Sequence, residues 1–281
     1  MYKRQGQGQA TLVVGPDGTR LLVDSGNYGP PAYQKLIPYL ARVGISSAGR
    51  IDHAVLSHWH ADHYGGFIHM LRDARIDVRN FHDNGSGASS TKINELKTLL
   101  ASTTAGAARA ITVGTVLALG GGATATVVAA NGRIVGGATV AGASSENDRS
   151  VALLVRHGNF QMMVAGDLGG GDDDAACTGR GGSQANVESP LARALTSGAA
   201  PLLGPDGIEV LMVNHHGSES STNSDWMNAL SPRVAIMGTG SNTYQHPRKE
   251  TVDGVLAAAA PCVTAPPALI LQTDEGDLRA G

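Results

Sequence analysis

This sequence contains few of the residues that would place it in several large classes of protein. It has only two cysteines, Cys177 and Cys262, in 281 residues, too few for a disulfide framework. Whether these two form a single bridge is left open by the sequence. Aromatic residues make up 4% of the chain and the formal net charge is −3, which excludes nucleic-acid binding driven by overall positive charge.

Long apolar segments are also absent. No run of eighteen apolar residues occurs, so we expect no membrane-spanning helix. The first residues lack the apolar core of a signal peptide. The expected location is therefore the cytoplasm, or outside the cell if a signal peptide is missing from this sequence. No obligate protein partner is predicted.

What the chain does have is enough apolar residues for a substantial core. They make up 42% of the sequence, and with so few aromatics the core must consist mainly of Val, Leu, Ile and Ala. Each half of the chain reads as several strands followed by helices, which indicates two packed sheets with helices outside. We expect one domain over residues 1–281, with a Gly/Asp-rich surface loop near 169–186.

Histidine is plentiful, with ten residues, and four ligand-type residues form one dense motif. The motif is His58-x-His60-x-Asp62-His63, directly after a predicted buried strand over 51–56. Side chains two apart at a strand end can face one point, and the following turn can bring the next two to it. Imidazole and carboxylate suit Zn²⁺ and similar divalent ions.

Two later segments place further ligand-type residues after predicted strands, and a third has a histidine before a proline. Asp167 follows a strand over 160–165, His215 and His216 follow one over 208–213, and His246 precedes a proline. The carboxyl ends of strands are where an α/β fold collects its functional loops. We therefore predict two metal positions that share Asp167: the first held by His58, His60 and Asp167, the second by Asp62, His63, Asp167 and either His215 or His216.

In these motifs the chain resembles the metallo-β-lactamase-fold hydrolases, and among them the soluble domain of competence DNA-uptake (ComEC-type) proteins. The matching segments occur in the family's order across nearly the whole chain: 6–10, 22–26, 58–63, 147–150, 166–167, 215–218 and 246–247. The resemblance implies a four-layer αββα sandwich with a dinuclear site at the edges of the sheets. The competence relatives join this domain to a membrane channel, so DNA uptake is not inferred for this chain.

The sequence departs from the family pattern at three places. Gln9 stands where the family usually has Asp. Many members have another His ligand between the first motif and the Asp, where this chain offers Asn147 and Asp148. The segment between Asp167 and His215 is also unusually long, and we expect it to lie on the surface.

The predicted function is metal-dependent hydrolysis by a hydroxide that bridges two divalent ions, Zn²⁺ first and Mn²⁺ as the alternative. The leading substrate is a phosphodiester, either nucleic acid or a small molecule. One alternative is hydrolysis of a small ester, lactone or β-lactam, and a second is an inactive metal-binding scaffold.

Roles in this reaction are assigned to individual residues. Asp62, His216 and His246 are the catalytic candidates, and His246 and the non-ligand member of the 215/216 pair would steady or protonate the leaving oxygen. A smaller group of residues is expected to contact substrate or to orient ligands: Asp24, Asn147, Ser150 and Ser218. The best candidate for a local basic patch is Arg72 with Arg75 and Arg79.

Overall fold

The computed structural model describes residues 8–29, 33–172, 184–197, 201–204, 206–240, 242–257 and 262–273. Most of the Gly/Asp-rich loop, including Cys177, lies outside these residues. Cys262 is disulfide-bonded. No helix in the described ranges has the length and apolar character needed to cross a membrane.

The first half of the chain builds a five-stranded sheet in the order β1-β2-β4-β6-β7. Its strands are β1 (Thr11–Val14), β2 (Arg20–Val23), β4 (His53–Val55), β6 (Phe81–Asp83) and β7 (Ala108–Ala110). A small separate pair consists of β3 (Arg50–Ile51) and β5 (Asp77–Val78). The strands from β2 to β7 run parallel, so their carboxyl ends lie at one edge.

Three helices belong to this half: α1 (Tyr33–Arg42), α2 (Ala61–Arg72) and α3 (Thr91–Leu100). Helix α3 begins at Ser90, whose hydroxyl accepts the backbone N–H of Ile93 and so caps the helix. Pro38 lies inside α1, where the sequence predicts a disturbed helix.

The second half builds an eight-stranded sheet in the order β10-β9-β11-β12-β13-β14-β15, with β8 paired to β9. Its strands are β8 (Val116–Gly120), β9 (Ala123–Ala130), β10 (Arg133–Ile134), β11 (Ala152–His157), β12 (Phe160–Val164), β13 (Val210–Met212), β14 (Val234–Met237) and β15 (Leu269–Gln272). The helices here are α4 (Glu188–Thr196), α5 (Ser224–Leu230) and α6 (Lys249–Thr251), the last continuing into a π-helical turn over Val252–Leu256. From β12 to β15 the strands are parallel.

Alternating side chains on the strands create three cores and therefore four layers. Leu22 packs with helices α1 to α3, whereas Leu21 on the same strand packs between the two sheets. In the second sheet Leu153 faces the first sheet and Leu154 faces the outer helices. The predicted αββα sandwich is confirmed. That all 281 residues form one domain stays a prediction.

A buried carboxylate fixes the loop that follows β13. Glu188, fully buried at the start of α4, accepts hydrogen bonds from the Asn214 side chain (2.6 Å) and from the backbone N–H groups of Thr222 (2.6 Å) and Asn223 (2.7 Å). Because these residues bracket His215 and His216, Glu188 holds the loop that carries both histidines.

We predict that Glu188→Ala lowers the free energy of unfolding by about 3 kcal/mol, because the substitution leaves three buried donors without an acceptor. Chemical denaturation measures the change. Glu250→Ala, on an exposed position of α6, is the matched control and should stay within about 0.5 kcal/mol of the parent. An equal loss in the two variants would contradict this role of Glu188.

Candidate metal centre

The carboxyl ends of the parallel strands in both sheets meet at one place, and a buried carboxylate organises it. Asp24 follows β2 in a left-handed conformation (φ 57°) and is fully buried. Its Oδ1 accepts the Ser57 N–H (2.7 Å), and its Oδ2 accepts the Ser57 hydroxyl (2.7 Å) and His63 Nδ1 (2.8 Å). A carboxylate only accepts, so His63 carries a proton on Nδ1, which is the arrangement that leaves Nε2 available to a cation.

Ser57 determines in a similar way which ring nitrogen of His58 carries the proton. The Ser57 hydroxyl gives its one proton to Asp24, so its oxygen accepts from His58 Nδ1 at 3.0 Å. The hydroxyl of Ser150 lies 3.2 Å from the same nitrogen and accepts the backbone N–H of Asp167 (3.1 Å). His58 therefore also presents an unprotonated Nε2.

His60 completes the pair predicted from the first motif. Its Nδ1 lies 3.0 Å from His58 Nε2. His60 itself is exposed, whereas His58 is fully buried. Two nitrogens this close, from residues two apart after a strand, face one point in the way that ligands of a common ion do.

Asp167 lies between two sets of histidines. Its Oδ1 is 3.3 Å from His63 Nε2 and 3.8 Å from His216 Nε2. Its Oδ2 is 3.6 Å from His215 Nε2 and 3.8 Å from His58 Nε2. The preceding Gly166 has φ 56°, and a Cβ there would lie 2.7 Å from Ser57 Cβ, so glycine is what lets the two sheets approach here.

The paired histidines face different sides of the centre because both adopt left-handed backbone conformations, with φ 48° at His215 and 55° at His216. His216 Nδ1 donates to the Gly238 carbonyl (2.8 Å), and its Nε2 lies 3.4 Å from Asp62 Oδ2. His215 Nδ1 lies 3.0 Å from the amide oxygen of Gln184. Both rings therefore aim Nε2 inward: His216 toward Asp62 and Oδ1 of Asp167, His215 toward Oδ2 of Asp167.

The residues fit a divalent cation, as their unpartnered atoms show. His63 Nε2, His216 Nε2 and Asp167 Oδ1 are buried and make no hydrogen bond. Such orphaned atoms are costly unless an ion or water takes them. Two overlapping groups have ligand atoms within 4.8 Å of one another: His58, His63 and Asp167, and Asp62, His63 and His216.

The charge distribution also suits a cation. Burial would raise the pKa of Asp167, but His63, His215 and His216 hold it well below its usual range. Burial would likewise lower the pKa of His63, yet Asp167, Asp24 and Asp62 raise it well above its ordinary value. The three carboxylates near His63 together outweigh the effect of burial on its pKa, and a bound cation would balance their negative charge.

Beside these residues lies a pocket of about 490 Å³. Five of its lining residues belong to the candidate metal centre: Asp62, Asp167, His60, His215 and His216. Neutral residues complete the lining: Gly8, Asn27, Ala61, Asn147, Gly238, Thr239, Gly240, Asn242, Tyr244 and His246. Among the described residues, no lysine or arginine lines it.

His246 and Asn147, both predicted near the substrate, do line this pocket. His246 Nδ1 is buried without a hydrogen bond, and burial together with His215 and His216 lowers the pKa of His246 to about 4. The side-chain nitrogen of Asn147 lies 3.5 Å from His215 Nε2. Ser218, in contrast, bonds to Ser220 within its own turn (Oγ–Oγ 3.0 Å).

The three departures from the family pattern have local explanations. Asp148 does not replace the extra ligand, because its carboxylate accepts the backbone N–H groups of Ser145 and Ala185 (both 3.2 Å). Gln9 is buried, and its backbone N–H donates to the Asp62 carbonyl (3.2 Å). At the end of the long insertion, the amide oxygen of Gln184 lies 3.0 Å from His215 Nδ1. The surface placement expected for the Gly/Asp-rich loop stays a prediction, because residues 173–183 lie outside the described residues.

The suggested basic patch stays a prediction. In the structure the Arg72 guanidinium pairs with Asp73 (2.8 Å) and Glu95 (2.9 Å), so two carboxylates compete with an anionic ligand for its charge.

Sequence reasoning missed Ser57, Gln184 and Tyr244. Ser57 directly precedes His58, so its position beside the motif was a usable signal. Gln184 and Tyr244 lie in segments without motif or periodicity, and only the fold brings them to the centre.

Comparison with known proteins agrees with this architecture. Residues 4–85 match the model of the Metallo-beta-lactamase superfamily, and the chain has the metallo-β-lactamase fold. The thioesterase pkgB of Emericella nidulans is 40% identical over 65 residues, which is 23% of this chain and 18% of that protein. The competence protein ComA of Neisseria gonorrhoeae is 28% identical over 117 residues, 40% of this chain and 13% of ComA.

These matches span less than a fifth of the length of the curated relatives. Among solved structures, the subclass B3 metallo-beta-lactamase MEM-A1 from a soil metagenome library aligns over 76% of each chain, with 17% identity and a TM-score of 0.42.

We predict that Ser57→Ala weakens binding of Zn²⁺ or Mn²⁺ by about 10- to 100-fold, because His58 and Asp24 each lose a hydrogen bond that orients the ligands. Competition with a chromophoric chelator measures the affinity. Ser102→Ala, an exposed hydroxyl at the end of α3, is the control. Unchanged affinity in Ser57→Ala would refute the orienting role of this hydroxyl.

Proposed function

We propose that this chain is a metal-dependent hydrolase of the metallo-β-lactamase superfamily that cleaves phosphodiester bonds, with single-stranded nucleic acid as the leading substrate. The observation that carries the proposal is the convergence of buried ligand atoms on Asp167, from His58 and His63 on one sheet and His215 and His216 on the other. Two positions that share one carboxylate suit displacement at phosphorus.

In this proposal the residues divide between two ions, Zn²⁺ or Mn²⁺. His58, His60 and Asp167 hold the first, and the nearness of His215 Nε2 to Asp167 Oδ2 favours His215 as its further nitrogen ligand. Asp62, His63, Asp167 and His216 hold the second. Divalent ions so held polarise the attacked group and lower the pKa of water toward neutrality.

The remaining residues orient and bind. Asp24 and Ser57 keep Nε2 of His63 and His58 directed at Asp167. Asn147 and His246 line the pocket beside the centre, where their polar atoms can contact the substrate's leaving oxygen. Asp62 lines the pocket, and its Oδ2 lies 3.4 Å from His216 Nε2, so it would hold the second ion beside the space available to the substrate.

Two observations favour different classes of substrate. The similarity to ComA covers 40% of this chain and favours a nucleic-acid strand. The described pocket lining has no lysine or arginine, which favours the second candidate, an uncharged ester, thioester, lactone or β-lactam, since no side-chain cation is available for additional phosphates.

The disulfide at Cys262 bears on location. Disulfides persist mainly in oxidising compartments, so we propose export rather than residence in the cytoplasm.

The test is an assay of purified protein with Zn²⁺ or Mn²⁺ against single-stranded DNA, bis-p-nitrophenyl phosphate and nitrocefin. We expect cleavage of the first two and a loss of at least about 1,000-fold in the Asp62→Ala/His63→Ala double variant. Turnover of nitrocefin alone would exclude the phosphodiesterase. Equal activity in the double variant would exclude the metal mechanism, and bound metal without turnover of any of the three substrates would favour the inactive metal-binding scaffold.

A further inference from the structure

Four aromatic rings form a continuous series from the candidate metal centre to an exposed tyrosine in the pocket lining. The ring centroids of His216 and His215 lie 6.3 Å apart, those of His215 and His246 5.6 Å, and those of His246 and Tyr244 5.9 Å. The inner contacts are edge-on, at 65° and 62°, whereas Tyr244 lies nearly parallel to His246, at 14°. The outermost ring therefore has one face toward His246 and another available to a ligand.

The segment that carries the two outer rings is held in place by its own hydrogen bonds. The Asn242 amide donates to the carbonyls of Gly240 (2.7 Å) and His246 (2.8 Å) and accepts the His246 N–H (3.0 Å). The backbone N–H of Arg248 donates to the Gly217 carbonyl (2.9 Å). The turn is thus tied to the loop that carries His215 and His216, and the rings keep their distance from the centre.

Tyr244 stacks on His246 and still exposes much of its side chain to solvent. Its exposed fraction is 57%, and it lines the pocket together with His246. The described lining holds no lysine or arginine. The parts of a substrate that lie away from the cleaved bond would therefore contact mainly ring faces and amide groups. A nucleobase suits such contacts, because every base has a π-face and stacks on aromatic side chains regardless of sequence.

We propose that Tyr244, backed by His246, is a stacking platform for the nucleobase next to the scissile phosphodiester. This inference rests on the proposed phosphodiesterase function and names its substrate class as nucleic acid rather than a ring-free diester. The platform confers no base specificity, because it makes no hydrogen bond to base edges. It lies outside the ion ligands, so its loss leaves metal binding intact.

The test compares a short single-stranded oligonucleotide with an abasic oligonucleotide of the same length, which has the same phosphates and no bases. For the parent protein we expect kcat/KM to be about tenfold or more higher on the base-containing strand. Tyr244→Ala should abolish this preference and leave cleavage of the abasic strand unchanged, while Tyr244→Phe and Tyr244→Trp retain it. Phe160→Ala, an exposed aromatic on β12 outside the pocket (41% exposed), is the control and should behave as the parent.

Binding of the same two strands, measured by fluorescence anisotropy, separates this inference from the hydrolase itself. Base-dependent binding that Tyr244→Ala abolishes, without cleavage, would support the platform and count against the reaction. A parent that cleaves both strands equally would overturn the platform and leave the phosphodiesterase standing. Equal losses on both strands in Tyr244→Ala, or no binding of either strand by the parent, would also overturn it.

Discussion

The centre depends on one buried interaction, the set of hydrogen bonds that end on Asp24. A carboxylate removed from water must be satisfied by donors, and here Ser57 provides two and His63 the third. The same bonds fix which nitrogen of His63 carries the proton and, through Ser57, do so for His58. The cost of burying one charge is thus offset by bonds that direct two ligands toward Asp167.

The charged side chains of the pocket lining belong to the candidate metal centre. They are Asp62 and Asp167, accompanied by histidines, and the other described lining residues are glycines, an alanine, amides, a threonine and Tyr244. Positive charge for an anionic ligand would therefore have to come from bound ions, because no described lysine or arginine lines the pocket. The net charge of the whole chain, −3, says little about the charge at this one place.

The sequence predicts the location of the centre because ligand-type residues follow strands, and parallel strands bring their carboxyl ends to one edge. His58, Asp167 and His216 could be associated in this way from spacing alone. Spacing does not predict which side of the centre His215 and His216 each face. That orientation depends on two consecutive residues in the left-handed conformation, which the sequence does not signal for histidine.

The surroundings of the centre were less predictable for a related reason. Apart from its place before His58, nothing in the sequence distinguishes Ser57 from other serines. Its contact with Asp24 arises only because β2 packs beside β4. Gln184 was assigned to a surface loop, because a polar segment without periodicity carries no sign of what its last residues contact. Asp148 is the opposite case: a ligand-type residue in a suitable position whose carboxylate is already occupied by backbone donors.

The two sheets contribute to the centre in nearly equal parts. His58 and His63 come with the first sheet, and Asp167 and His216 with the second, so neither half of the chain contains a complete set of ligands. An ion held by both sets of residues would link the two sheets, and its free energy of binding would add to the stability of the folded chain by mass action. The resistance of the fold to heat would consequently vary with the concentration of free metal, independently of whether any substrate is turned over.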